Sequence, residues 1–374
     1  MKFNVSGKTL YDRLSAVSKV VNSKNTLSIL DNFLLSVKDN VLSITGSDQE
    51  NVVTASLEVF DASEDGAVAV NAKRFLELAK EVSSQPLVID VDLNTFNVNV
   101  EYLSGHFNFI GVNPAEFPQK EEQDTEVTAD FSLPASEVRR ALEMTLYAVS
   151  TEQIRPMMTG VLWDIEESKV TFVSSDTHKL VRYANTSAAP GVKTSFIMPS
   201  KPASVIKSLI GKEDMDVHIV ADTKGASFEF DGYKISCRFI KGNYPPYNRV
   251  IPVDNPFSLT VDRQTFLTGL RRASLLASNH SLVRLDISAS EIKITGQDLD
   301  YSTLAVDRVS CEYSGNPITI GFNAQFCQEV LSNMTCEMLK LDLSDPARPG
   351  VFSPLEQGED ENLVVILMPM QVIE

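Results

Sequence analysis

The sequence predicts an α+β fold of three repeated domains, each with antiparallel sheets and two helices, because three kinds of segment recur in the same order. An apolar strand running into an amphipathic helix begins at Phe3, Phe131 and Phe257: FNVSGKTLYDRLSAVSKVV, FSLPASEVRRALEMTLYAVS and FSLTVDRQTFLTGLRRASLLAS. The starts are 128 and 126 residues apart, far beyond the period of a solenoid or propeller repeat. An alternating strand and an aspartate turn follow each opening, in LSITGSDQENVV, VTFVSSDTHKLV and IKITGQDLDYST, placing Asp48, Asp176 and Asp298 at intervals of 128 and 122. A second helix closes each series: VNAKRFLELAKEV, MPSKPASVIKSLI and FNAQFCQEVLSNM.

At 374 residues and 43% apolar content the chain is too long for one core and suits three. The boundaries are expected at 1–124, 125–253 and 254–374. Acidic EEQDTE at 121–126, after Phe117-Pro118, and IPVDNP at 251–256 mark the joints, while LEQGEDEN at 355–362 reads as an exposed loop. In the openings Leu10, Leu14, Val17 and Val21 form one helical stripe; Val138, Leu142 and Val149, then Phe266, Leu270 and Ala277, form its counterparts. Apolar positions at Val41, Ile44, Val170, Phe172, Ile292 and Ile294 interleave with polar ones, which predicts sheets with one covered and one wet face. Helices segregated to one side would supply the cover. The absence of βαβ alternation with a glycine fingerprint argues against a Rossmann or P-loop body.

Several function classes are disfavoured. MKFNVSGKTL already starts a strand, leaving no room for a signal peptide, and no apolar run reaches the roughly 18 residues a membrane span needs, so a cytoplasmic protein is expected. Cys237, Cys311, Cys327 and Cys336 show no C-x-x-C pair and read as reduced thiols. His106, His178, His218 and His280 are scattered, and no H-E-x-x-H, nucleophile elbow, Walker or kinase motif is present. Asp48, Asp176 and Asp298 occupy equivalent turns, which repeated turn chemistry explains better than a metal centre. No catalytic residue, cofactor or metal is expected. A metal-dependent nuclease is the remote alternative, and a peptide-binding scaffold the nearer one.

Charge is unevenly placed. The formal net charge is −17, yet the six helical segments together carry +8, which leaves −25 for the rest. Long basic side chains on rigid helices suit nonspecific contact with duplex phosphates. Arg139, Arg140, Arg271 and Arg272 lie off their apolar stripes. All helices on one side of a curved sheet would make an arc with a basic concave wall, and two such arcs could close. His178, beside a basic residue in SSDTHKL, reads either as a cap of its own turn or as the polar rim of a peptide pocket. In VVILMPMQVIE the proline takes the chain out of the sheet and presents methionines, which suit variable apolar partners, unless they only pack the strand end. FNF at 107–109 alternates as an edge strand, a liability unless paired.

The opening MKFNVSGKTL, the NTLSIL segment, SSDTHKL, YPPYNRVIP, IGFNAQF and the terminal MPM closely resemble, in order and over the whole chain, the bacterial sliding clamps, beta subunits of DNA polymerase III. The resemblance implies a head-to-tail homodimer in which each chain is half of a closed ring, with helices lining the hole. It implies DNA-facing basic groups at Lys24, Lys73, Arg74, Arg139, Arg140, Lys201, Arg271 and Arg272. It implies a peptide pocket whose apolar wells include Leu180, Val250, Met368 and Met370. Arg155, His178, Arg249 and Asn323 would orient the peptide, and Met158, Ser175, Pro245, Phe326 and Pro369 complete the pocket. At the dimer contact it places Phe107 and Phe109 against Leu275 and Leu276 of a second copy. The implied function is a non-enzymatic processivity factor that tethers the replicative polymerase near the nucleoid. Its implied partners are double-stranded DNA, the polymerase III catalytic subunit, an ATP-driven clamp loader, other polymerases, ligase and mismatch-repair proteins. Thr177 and Lys179 stand where the commoner family pattern has glycine and arginine, and Pro156 and Met157 stand where aromatics are familiar.

Overall fold

The computed structural model describes residues 1–22, 25–118, 126–211, 214–277, 281–298 and 300–372. Six α-helices are present among them: α1 (Gly7–Ser18), α2 (Ala72–Glu81), α3 (Ala135–Thr145), α4 (Ser200–Leu209), α5 (Arg263–Ser274) and α6 (Ala324–Asn333). Four of their starts are set by side-chain caps. Ser6, Asn71, Asp262 and Asn323 each accept a backbone N–H from the first turn, satisfying donors the helix cannot use.

The helices end earlier than the apolar periodicity suggests. Val21, Val149 and Ala277 fall beyond α1, α3 and α5 and are only half-buried. In α3 the stop is local, since the Thr145 hydroxyl donates to the Ala141 carbonyl at 2.7 Å and Ser174 Oγ donates to the Thr145 carbonyl at 2.5 Å. Ala273, one turn earlier, is the buried alanine of α5.

The described residues pack as two compact units, 1–138 with 201–239, and 139–200 with 240–374. In the first, an antiparallel four-stranded sheet ends on the edge strand Gly105–Ile110, and an eight-stranded sheet joins the first repeat to the opening strand and the last three strands of the middle one. The joint is the pairing of Asn51–Glu58 with Tyr233–Arg238, in which Val53 faces Ile235. In the second unit, a nine-stranded sheet has the corresponding joint, Lys179–Asn185 paired with Glu361–Leu367, with Leu180 facing Ile366. Its four-stranded sheet is bounded by Thr303–Ser310 and Ile318–Asn323. The middle repeat is thus divided between the units because each joint is a continuous ladder of backbone hydrogen bonds.

The one-wet-face expectation holds for Glu291–Asp298, where Ile292 and Ile294 are buried and their neighbours are not. In Val41–Ser47 the buried set is Leu42 and Ile44, while Val41 is exposed beside the turn. It fails for Lys169–Ser175, which is buried on both faces. One face stacks Trp163, Phe172 and Phe196, with Trp163 at 4.6 Å from Phe172 and 5.5 Å from Phe196. The opposite face carries Leu162, Val173, Leu180, Ile197 and Ile366, covered by Met157, Ile240, Tyr244, Tyr247 and Ile251. Apart from Met157, the cover comes from 240–251, a stretch that holds most of YPPYNRVIP.

Candidate functional site

The three aspartate turns are built alike. Asp48 Oδ1 accepts the N–H groups of Glu50 (3.2 Å) and Asn51 (2.8 Å), and Asp176 Oδ1 those of His178 (2.9 Å) and Lys179 (2.8 Å). Asp298 Oδ1 accepts those of Asp300 (2.9 Å) and Tyr301 (3.1 Å). These are Asx turns. No group of three or more potential metal ligands occurs among the described residues. The residue after the aspartate is left-handed in the first two turns, at φ 81° for Gln49 and 79° for Thr177. A β-branched residue is strained there. Thr177→Gly is therefore expected to stabilise the fold by about 1 kcal/mol, read as a raised urea midpoint at unchanged slope.

The second turn anchors a cluster within the second unit. Met368 donates its N–H to the His178 carbonyl (2.8 Å), and Met370 donates to the Gly321 carbonyl (2.8 Å). Pro369, without an N–H, sits where the tail passes from one sheet to the edge of the other. The His178 ring stacks on Phe326 at 5.2 Å and 24°. Phe326 is held in the first turn of α6, whose cap Asn323 accepts the N–H groups of Gln325 (2.9 Å) and Phe326 (3.1 Å). Beneath them Lys179, only 4% exposed, reaches Asp176 (2.5 Å) and Glu329 (2.9 Å), with Nζ 4.5 Å from the Phe326 ring centre.

His178, Asn323, Phe326, Met368, Pro369 and Met370 are thus brought together. Ser175 and Leu180 lie just below and are buried, Ser175 donating to the Lys179 carbonyl at 2.9 Å. Leu180 lies in the covered apolar cluster and is 7% exposed. Tyr244 belongs to the cover, and burial pushes its phenol above the ordinary range. Met158 is buried, whereas Arg155, Pro245, Arg249 and Val250 are exposed on the flanking loops. Sequence reasoning missed Gly321, the burial of Lys179, and a cleft of 530 Å³ alongside Pro369 and Met370 that is also lined by Arg284, Thr319 and Ala347. A glycine inside a strand pattern was the available signal for the close backbone approach at Gly321.

The basic positions divide by engagement. Lys24 lies outside the described residues. Lys73 and Arg74 are exposed in the first turn of α2. Lys201 is committed within the chain, its Nζ donating to the Val20 carbonyl (2.7 Å), Asn22 Oδ1 (2.6 Å) and Asp48 Oδ2 (2.6 Å). Burial alone would raise the Asp48 carboxyl, but hydrogen bonds from Lys201 and Asn51 hold it below the usual range. Arg139 pairs with Glu143 at 2.9 Å, and Arg140 donates to Thr335 Oγ1 at 3.0 Å. Arg272 is hydrogen-bonded to Asp307, whose carboxyl is held down by that contact. Arg271 is exposed, with Ser332 Oγ at 3.4 Å.

At the edges, Phe107 and Phe109 are half-buried, packing on Tyr102 (5.1 Å) and Phe75 (5.9 Å). Ile110 beside them is 80% exposed. Leu275 is 80% and Leu276 41% exposed just past α5, and Leu304 and Val306 project from the edge strand Thr303–Ser310.

Three family models match the chain in succession: DNA polymerase III beta subunit, N-terminal domain at 1–121, central domain at 132–246 and C-terminal domain at 248–371. Beta sliding clamps of Pseudomonas putida and Haemophilus influenzae are each 26% identical to it over 374 and 377 residues, with both chains fully covered. The solved structure of a sliding clamp from Pseudomonas aeruginosa bound to griselimycin superposes with a TM-score of 0.93 at 25% identity over all of both chains. One from Bartonella birtlesii, bound to the same compound, gives 0.92 at 25%, again over all of both chains. The chain belongs to the DNA polymerase III beta subunit family, the bacterial beta sliding clamps.

Proposed function

We infer that two copies of this chain close head to tail into a ring that encircles duplex DNA and slides along it. The chain is a processivity factor and a non-catalytic subunit: it tethers a polymerase, raising its local concentration at the primer end without taking part in bond formation. One observation carries the ring. The strand after the aspartate turn of the first repeat pairs with the last strand of the second, and the same strand of the second repeat pairs with the last strand of the third. The two unused partners are Thr303–Ser310 and Gly105–Ile110, both sheet edges. Carrying over the register in which Asn51 faces Cys237 and Val53 faces Ile235 sets Phe109 opposite Thr303, and Phe107 opposite Ala305, of a second copy. Thr303 Oγ1 already donates to the Leu276 carbonyl (3.3 Å), which brings Leu275 and Leu276 into that contact. A repeated rotation that closes removes both edges.

Lys73, Arg74 and Arg271 are the candidates for phosphate contact that are exposed and outside any ion pair among the described residues, with Lys24 assigned by resemblance. Arg139, Arg140, Lys201 and Arg272 act mainly by fixing the helices on which the others stand. The cluster of His178, Asn323, Phe326 and Met368–Met370, flanked by Arg155, Arg249 and Val250, is the peptide site. Polymerase, clamp-loader, ligase and mismatch-repair partners would compete there. Domains of 1–124, 125–253 and 254–374 and a cytoplasmic, nucleoid-associated location complete the reading, and no described helix is long and apolar enough to cross a membrane.

The test is retention on nicked circular DNA after loading with a compatible loader and ATP, followed by linearisation. Stable retention and then rapid loss from the free ends is expected. Retention unchanged by linearisation would replace the ring with ordinary contact binding.

A further inference from the structure

The joints between repeats carry more than paired strands. In the joint of the first unit, the aspartate of the turn uses Oδ1 for its own backbone and offers Oδ2 to Lys201, the second residue of α4. Lys201 also takes the Val20 carbonyl, just past the end of α1. The lysine therefore connects the start of one repeat's second helix to the aspartate turn and the first helix of the repeat before it.

In the joint of the second unit the corresponding helix position, second in α6, is Gln325. There the cation comes from the turn itself. Lys179, which opens the following strand, donates to Asp176 Oδ2. Both joints thus neutralise the Oδ2 oxygen with a lysine, supplied by the helix in one and by the turn in the other.

The third turn lacks such a lysine, because Thr303 opens its following strand. Asp298 has the same Oδ1 bonds, and among the described residues its Oδ2 accepts nothing. The remaining second helix is α2, and its second residue is Lys73, exposed and without an ion-pair or hydrogen-bond partner among the described residues. Asp298 and Lys73 are the unsatisfied halves of the arrangement that Asp48 and Lys201 complete.

We propose that Lys73 of one copy donates to Asp298 Oδ2 of a second copy, making this pair the intersubunit counterpart of Lys201–Asp48. The inference rests on the head-to-tail reading above and changes the role of Lys73 within it, from phosphate contact to dimer contact. By the same correspondence Lys73 Nζ reaches the Leu276 carbonyl, the position of Val20, so the pair borders the contact of Leu275 and Leu276. The Lys201–Asp48 pair is partly shielded, with side chains 36% and 7% exposed, and charge pairs shielded in this way contribute to association. The ring has two equivalent interfaces, so each chain's substitution is felt at both.

The experiment is a dimer dissociation constant measured by subunit exchange on dilution for the full-length chain, K73E, D298K and the double variant K73E/D298K. Each single reversal is expected to weaken the dimer at least about tenfold, and the double variant to recover to within about threefold of the parent. Raising salt should narrow the gap between parent and single variants. A parent chain that stays monomeric at micromolar concentration would overturn the head-to-tail reading itself. A parent dimer unaffected by either reversal would overturn the pair alone. Two weakened singles with no recovery in the double would do the same, because residues that do not meet cannot compensate. If K73E lowers only retention on circular DNA, Lys73 is a phosphate contact and the proposal fails.

Discussion

Lys179→Met is expected to lower the stability of the chain by about 3 kcal/mol and to weaken binding of a short peptide carrying apolar residues to the proposed pocket at least about tenfold. Methionine keeps most of the length and removes the charge. It leaves Asp176, 15% exposed at the side chain, without its cation, while Glu329, 44% exposed, returns to water. Breaking a buried pair from one side costs about 3–5 kcal/mol, and the exposure of Glu329 places this case at the lower end. The loss of affinity has a different origin. Lys179 Nζ lies over the ring on which His178 stacks, so its removal frees two walls of the proposed peptide site at once. Urea unfolding and peptide fluorescence anisotropy read the two effects separately. Asp176→Asn in the Lys179→Met background should recover part of the stability, since the orphaned charge is then gone. If the double variant is no more stable than Lys179→Met, the cost is lost packing and the buried-charge account is wrong. Lys179→Arg, which restores the residue of the commoner family pattern, should keep both stability and affinity.

The repeat was legible because it is written in short-range chemistry. Capping residues, helical stripes and Asx turns each depend on neighbours a few positions apart, so Asp48, Asp176 and Asp298 announce the same turn three times. What each repeat's polar groups reach across a joint was not legible. Lys201 and Lys73 look equivalent in sequence, yet Lys201 is bound to a carboxylate 153 residues away while Lys73 is exposed. The wet-face expectation failed for Lys169–Ser175 for a similar reason. Alternation predicts one buried face, and the second was covered by a distant loop carrying Tyr244 and Tyr247. The proposed peptide site was read from resemblance, and the departure of the terminal methionines from the sheet was read from the proline between them. The buried floor beneath the site depends on long-range packing that no local pattern encodes.

Gly321→Ala is expected to leave the fold and the dimer intact and still cost the proposed peptide site at least tenfold in affinity, because it acts on the position of the tail. A Cβ on Gly321 would lie 2.7 Å from the Met370 carbonyl oxygen, 2.8 Å from Val372 Cγ2 and 2.9 Å from Leu282 Cδ1. The two side chains can yield, but the carbonyl moves only with its backbone. The hydrogen bond from Met370 to Gly321 therefore breaks while that from Met368 to His178 remains, and the tail pivots about Pro369. The combined overpacking and lost bond should lower stability by about 1–3 kcal/mol. The dimer edges lie on other strands, so subunit exchange should not change. A chain ending at Leu367 supplies the decisive comparison. If Gly321 acts only by seating the tail, truncation and Gly321→Ala should each lower affinity, and the substitution should add nothing to the truncated chain. A further loss in the truncated chain would mean that Gly321 shapes the strand leading to Asn323 and Phe326, and the tail would lose its assigned part in partner binding.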